Sequence, residues 1–262
     1  MTPQTMTAIQ DSMAETVEPR VVPHRADLSR LIREALAQDR VQLAFQPVVT
    51  AGVPPETVLH EGFIRILDEV GRILPAQSFM AAVEESPLGR DLDGAALRLG
   101  LQALRRHPRM RLAINMSARS VGNATWRQIL EEGVAGLGHR LTLEIGEASA
   151  MLLPDRVTRF MAEMRPKGVS FALDDFGAGA VSFWRLKDFR FDCVKIDRSL
   201  VARIEASPDN QVVARALIAV AHQFGMSAIA EGVESEAEAA RMRALGVDFL
   251  QGYLFGRPRA RL

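Results

Sequence analysis

The sequence predicts an α/β protein: a modified (β/α)8 TIM-like barrel with its first strand antiparallel to the next. Three observations carry that expectation. From residue 26 onward, short runs rich in β-branched or aromatic residues alternate with stretches of helical period, the pattern that builds a parallel sheet covered by helices. The runs number eight, the count that closes a barrel. The connection between the first two, "TAGVPPETVL" from residue 50, holds a glycine, two prolines and no helical period, so it suits a hairpin return rather than a crossover helix. A doubly wound open sheet shares the alternation and stands as the alternative, which the strand count disfavours.

In chain order the strand-like runs are "LAFQPVV" from 43, "HEGFIRIL" from 60, "RLAINMS" from 111, "LTLEIGE" from 141, "SFALDDF" from 170, "FDCVKID" from 191, "SAIAEGV" from 227 and "FLQGYLF" from 249. The helical stretches are "DLDGAALRLGLQALRRH" from 91, "PDRVTRFMAEMRPK" from 154, "NQVVARALIAVAHQFG" from 210 and "SEAEAARMRALG" from 235. Gly225 and Gly246 follow the last apolar positions of the latter two, where C-terminal caps belong. Residues 1–25 are polar, with scattered prolines and no sustained period, and read as a mobile N-terminal tail; residues 26–262 read as the barrel domain.

A chain of 262 residues with 48% hydrophobic content can bury a large core. Lysine plus arginine equals aspartate plus glutamate, 32 each, so no global field favours a nucleic-acid polymer or an anionic membrane. An anionic ligand must therefore be held by local groups. The single cysteine, Cys193, lies in an apolar stretch, reads as a core residue and has no internal disulfide partner. With no apolar run long enough for a transmembrane helix and no signal-peptide pattern at the start, a cytoplasmic location is expected.

"FALDDFGAGA", from residue 171, poses the chemical problem. Neighbouring side chains on a strand point to opposite faces, so Asp174 and Asp175 converge only where the strand ends or a cation draws them together. In isolation, Asp174 as a surface residue and Asp175 as a helix cap are equally acceptable. Yet every strand-like run is interrupted by polar residues: Gln46; Glu61 with Arg65; Asn115; Glu144 with Glu147; Asp174 with Asp175; Lys195; Glu231 with Glu234; and Gln251. In a barrel the reactive groups come from the carboxyl ends of different strands, and charges are rarely buried without partners. Several carboxylates in one small volume require compensating cations. Oxygen donors from Glu, Asp and Asn suit magnesium or manganese rather than zinc or copper. Asp174 is placed to bridge two ions with Asp175 reaching the second, and such a pair suits in-line displacement at a phosphodiester. Lys195 and Arg65 can neutralise a phosphate, and Glu231 can act as ligand or take a proton from water. The five histidines have no metal-ligand spacing, and no phosphate-cradling P-loop or glycine-rich dinucleotide motif is present.

These residues resemble a known family. "FQPVV", "HEGFIRI", "NMS", "LEIGE", "DDFGAG", "VKID", "AEGVE" and "QGYLFGRP" are similar, in order and spacing, to the successive motifs of the EAL domain across roughly residues 27–258. Its members are bacterial phosphodiesterases that open cyclic di-GMP to linear pGpG on a modified barrel. The resemblance implies two Mg2+ or Mn2+ ions held by Glu61, Asn115, Glu144, Asp174, Asp175 and Glu231. It implies catalytic roles for Lys195, Glu231 and Gln251 beside the hydrolytic water, and substrate contact by Arg65; Gln46 is counted with the substrate-binding residues.

Three stretches depart from the family pattern. The signature triplet Glu-Ala-Leu reads Glu61-Gly62-Phe63, the usual Thr between the two glutamates of the fourth strand is Gly146, and the loop usually carrying Thr, Tyr and Ser reads Ala178 to Phe183. In the family that loop orders the metal site and couples it to dimerisation. The leading expectation is a cytoplasmic, metal-dependent cyclic di-GMP phosphodiesterase. The alternatives are an EAL module that acts as a cyclic di-GMP receptor or protein-interaction domain without useful turnover, and, more remotely, a glycoside hydrolase. A homodimer and a regulatory protein partner stay open as associations.

Overall fold

Eight strands close on themselves because the first, β1 (Val41–Thr50), hydrogen-bonds both to the strand that follows it and to the last. The computed structural model describes residues 25–179 and 186–261, apart from the side chains of Arg25, Ala26 and Gln77. Residues 1–24 of the expected tail and residues 180–183 of the altered loop lie outside the described residues; Arg25, the last residue of that expected tail, already opens a helix. The remaining strands are β2 (Thr57–Leu67), β3 (Ile73–Pro75), β4 (Leu112–Asn115), β5 (Leu141–Gly146), β6 (Ser170–Phe176), β7 (Cys193–Ile196), β8 (Ser227–Ala230) and β9 (Phe249–Gln251). Their order is β1-β9-β8-β7-β6-β5-β4-β2-β3, with β1 also paired to β2.

β1 runs antiparallel to β2 and to β9, whereas β2, β4 and every later neighbour are parallel. The Gly-Pro-Pro connection therefore makes the hairpin expected of it, closed by Thr50 N–H donating to Glu56 O at 2.9 Å. The parallel strands are buried on both faces, by barrel interior and covering helices, and so read as nearly unbroken apolar runs.

Among the described residues, six helices of ten or more residues cover the barrel: α1 (Arg25–Ala37), α2 (Pro87–Arg106), α3 (Ala124–Gly133), α4 (Pro154–Met164), α5 (Pro208–Gln223) and α6 (Glu236–Leu245). The sequence reading contains neither α1 nor α3, and it misses β3, whose three residues are too few to show a period. It starts α2 and α5 late, at residues 91 and 210, because the proline at the first position of each reads as a breaker although proline is favoured there. Gly225 and Gly246 both take positive φ, +72° and +93°, as caps. Cys193, expected in the core, is half-buried at the start of β7. Trp126 of α3, Phe160 of α4 and Phe171 of β6 form a chain of edge-on contacts, each 5.7 Å between centroids, that ties two helices to the sheet. Among the described residues no helix is long and apolar enough to cross a membrane.

Two local devices set the heights of the strand ends. Gly252 lets the chain beyond β9 run against the chain beyond β8: Val233 N–H donates to Gln251 O and Leu254 N–H to Val233 O, at 3.0 and 3.1 Å. A β-carbon at Gly252 would come within 2.0 Å of Val233 O. Beyond β4, Asp93 of α2 accepts from Ser117 N–H at 2.8 Å and from Ser120 Oγ at 2.6 Å, which fixes the turn following Asn115. Burial pushes the Asp93 carboxyl up to about 6 from its ordinary 3.8, against the pull of those two donors.

The raised Asp93 value sets a pH dependence. Between about pH 4 and 6 the folded chain holds a proton that the unfolded chain has lost, so stability falls as pH rises through that window, by about 3 kcal/mol in full. Asp93→Asn keeps an oxygen acceptor and does not titrate. Urea unfolding of both proteins should show the variant gaining on the parent from pH 4 to 6 and levelling off above about pH 7; a difference independent of pH would refute the assignment.

Candidate active site

Lys195 is the polar centre of the barrel's carboxyl end. Its neighbours on β7 are apolar and its side chain is 1% exposed, yet its ammonium meets four carboxylates: Glu231 at 2.7 Å, Glu61 at 2.8 Å, Glu144 at 2.9 Å and Asp174 at 3.2 Å. These come from β2, β5, β6 and the residue after β8, so one cation ties four positions of the sheet together. Desolvation opposes the charged lysine, but the four carboxylates outweigh it and hold its pKa well above the usual value.

The acids divide. Burial tends to raise Glu61, but Lys195 and hydrogen bonds from Asn115 Nδ2 at 2.6 Å and Gln251 Nε2 at 2.7 Å bring it below the ordinary glutamate value. Glu144 is driven well above by burial and by the charge of Glu61, and Glu231 by burial and the charge of Asp174. The set thus carries more acid than one ammonium satisfies.

Asp174 and Asp175 come together through a β-bulge. Leu173 pairs with Val194 and Phe176 with Ile196, so two aspartates stand on β6 opposite Lys195 alone. Asp175 takes the left-handed conformation, φ +56°, which breaks the up-down alternation of the strand. As a result Asp174, Asp175 and Glu231 bring carboxylate oxygens within 4.8 Å of one another. Asp174 Oδ1 lies 3.2 Å from the ammonium but out of line for a hydrogen bond, which leaves this buried oxygen without a donor. A hard divalent cation fits here: every donor is oxygen, the charge is in excess and one oxygen is unsatisfied.

The other expected site residues lie around this cluster. Gln251 places its amide nitrogen on Glu61 and, at 3.3 Å, on Gln46 Oε1; Gln46 in turn donates to Gly256 O at 2.9 Å. Gln46 therefore lies behind Gln251, bracing it against the C-terminal segment. Arg65 sits on the same face of β2 as Glu61, about 13 Å further along. It is half-buried, bonded to Ile64 O and packed 5.5 Å from the centroid of Phe63. It has no hydrogen bond to the cluster. At Gly62 a β-carbon would stand 2.9 Å from Ile114 Cδ1, so Ile114 fills the space an alanine would need.

Sequence reasoning named Glu147 only as a polar interruption of a strand, and it passed over Glu238 and Asp93; these residues hold the loops. Glu147, nearly fully buried, accepts from Gly177 N–H at 3.1 Å and so spans from the end of β5 to the turn after β6, while Ala178 and Gly179 are exposed. Glu238 accepts from the backbones of Arg203, Glu234 and Ser235, fixing the chain just past Glu231. The Ser-x-x-Glu capping box at Ser235 was a readable signal for it. Asp93 has no comparable local signature. Among the described residues no histidine joins the acidic cluster.

Comparison with known proteins agrees with this geometry. Residues 29–258 match the family model described as the EAL domain. The cyclic di-GMP phosphodiesterase NbdA of Pseudomonas aeruginosa is 33% identical over 237 residues, covering 87% of this chain and 30% of that protein. The chain thus spans under a third of that relative's length. Among solved structures, the PaMucR phosphodiesterase in complex with c-di-GMP superposes with a TM-score of 0.78 at 27% identity, covering 90% of this chain and 98% of that one. The FimX EAL domain of Xanthomonas citri, also in complex with c-di-GMP, gives 0.78 at 26% identity, with 87% and 91% covered. With a barrel opened by an antiparallel strand, an oxygen-donor cluster at its carboxyl end and a family model matched over most of its length, this chain belongs to the EAL domain family.

Proposed function

We propose that the chain hydrolyses cyclic di-GMP to linear pGpG with the help of two divalent ions, Mg2+ or Mn2+. The observation that carries this reading is the bulge opposite Lys195, which brings Asp174, Asp175 and Glu231 to one point beside a buried, unsatisfied oxygen. Glu61, Asn115, Glu144, Asp174, Asp175 and Glu231 would hold the ions. When bound, the ions supply an activated water at neutral pH and neutralise charge on the phosphodiester oxygens.

The chain's own residues do the rest. Lys195 keeps Glu61 ionised and holds both Glu61 and Glu144 in place, so the donors need no reorganisation when substrate arrives. Glu231, 19% exposed at the cluster's open side and with raised proton affinity, receives the proton that the attacking water gives up. Gln251 orients Glu61, and Gln46 holds Gln251. Arg65, further toward the mouth, meets the non-reacting phosphate. A cyclic di-GMP receptor without useful turnover is the second reading, favoured by alanine at position 178, where the family's loop carries a threonine hydroxyl as it leaves β6.

Incubation with cyclic di-GMP and Mg2+ or Mn2+ followed by product separation should give pGpG; retained binding without product would select the receptor reading. Asp174→Asn should lower turnover at least about 100-fold and abolish the rise in melting temperature that either ion produces, because it removes a charge from the acidic cluster without changing volume. An unchanged metal-induced shift in that variant would refute the ligand assignment. Arg65→Ala should raise KM about tenfold with kcat little altered; a loss confined to kcat would place Arg65 in the chemistry instead.

A further inference from the structure

The amino end of the barrel, opposite the acidic cluster, gathers positive charge. Four adjacent parallel strands, β4 to β7, are entered there through the stretches 105–111, 134–140, 165–169 and 187–192. Strand register aligns the ends of these stretches. Leu112 stands beside Leu141, Thr142 beside Ser170 and Ala172 beside Cys193, which puts Arg111, Lys167 and Arg190 within two residues of one row. With neighbouring strands about 4.8 Å apart, the row is about 15 Å wide at the strands. The exposed cations around it are Arg105, Arg106, Arg109, Arg111, Lys167 and Arg190, and none of these six side chains forms an ion pair among the described residues. The same stretches hold two acids, Asp188 and Asp192, and Asp192 is taken by Arg165 and by the amide of Phe171. Nearby on α3 and α4, Glu131 and Glu163 are paired with Arg127, and Glu132 accepts from Gln128. Cations complement the carboxyl end of a helix, which accounts for Arg105 and Arg106 at the end of α2; Arg109, Arg111 and Arg190 lie outside any helix. The even count of 32 cations and 32 acids in the chain conceals this separation, because the fold makes it.

Exposed apolar residues bracket the row on both sides. Phe224, 45% exposed, precedes β8, the neighbour of β7. On the other side the neighbour of β4 is β2, and the hairpin leading into it carries Val53, 82% exposed, with Pro54 and Pro55 exposed beside it. Both residues belong to the same end of the barrel as the cations.

We infer that the amino end of the barrel docks on an anionic membrane surface. The cations meet lipid headgroups, and Val53 and Phe224 enter the boundary with the acyl chains. Either signal alone gives marginal attachment, whereas a basic patch combined with apolar insertion holds a protein at the interface. A nucleic-acid duplex would match the charges but offer the two flanking residues no hydrocarbon. Docked this way, the barrel turns its carboxyl end, with the acidic cluster, away from the membrane and toward solvent. The surface is independent of the activity proposed above.

The test is co-sedimentation of the full chain with vesicles of phosphatidylcholine carrying about 30% phosphatidylglycerol, and with vesicles of phosphatidylcholine alone, in about 100 mM salt with EDTA present. The anionic vesicles should bind the protein at least about tenfold more tightly, and about 500 mM salt should release it. Arg106→Glu combined with Arg109→Glu should weaken binding at least about tenfold, and Val53→Ser combined with Phe224→Ser about fivefold, each with the circular dichroism of the parent. Asp174→Asn should bind as the parent does. Equal binding to the two kinds of vesicle, or parental affinity in the charge-reversed variant, would overturn the surface. Parental affinity in the serine variant, or tighter binding to a duplex RNA than to the anionic vesicles, would overturn lipid as its partner.

Discussion

A single buried ammonium organises the carboxyl end of this barrel. Lys195 contacts acids from four positions around the sheet, and each of those acids would be untenable in the barrel interior without it. Buried ion pairs add little net stability, since desolvation offsets attraction, but they fix geometry, because a displaced partner leaves an uncompensated charge. Here the fixed geometry is that of a site for further cations. The lysine quenches part of the negative charge and leaves the remainder, with Asp175 and an unsatisfied Asp174 oxygen, facing the opening.

The bulge in β6 is the backbone counterpart of that electrostatic arrangement. A regular strand would send Asp174 and Asp175 to opposite sides of the sheet, one into the barrel and one toward the helices. Adding one residue opposite Lys195 and placing Asp175 in the left-handed region turns both toward the opening. Left-handed backbone costs a non-glycine residue about 1 kcal/mol or more, and aspartate tolerates it better than most. The surrounding parallel ladder, paired on both sides of the bulge, holds the conformation.

How far the sequence disclosed this depends on the range of the signal. Strand alternation with helices is local, and the eight strands, the antiparallel start and the glycine caps were all legible. So were the cluster residues, because charged side chains interrupting apolar runs are conspicuous whatever their partners. What escaped was set by contacts between distant segments. Asp93 reads as one more acid on an amphipathic helix until α2 is docked over the turn after β4. Gln46 looks like a group facing ligand until the C-terminal segment is seen to meet it. The helices α1 and α3 carry too little periodic signal to stand out, and the bulge becomes visible only when β6 is set beside β7.

The antiparallel first strand also bears on how the molecule is made. β1 forms one wall of the barrel with β2 at once, but its other edge must wait for β9, and Phe45 completes its hydrogen bonds only with Arg259, whose amide and carbonyl it exchanges in both directions. Gln46 meets Gly256 across 210 residues of chain. During synthesis from the amino terminus, an open curl of strands therefore exists with an unpaired β1 edge and with Lys195 already among its acids, while Gln251 has yet to reach Glu61. Sheets closed by such distant pairings form slowly and expose sticky edges in the interval. Closure of the barrel and completion of the cluster are then one event, so a chain arrested before its last strand would have neither.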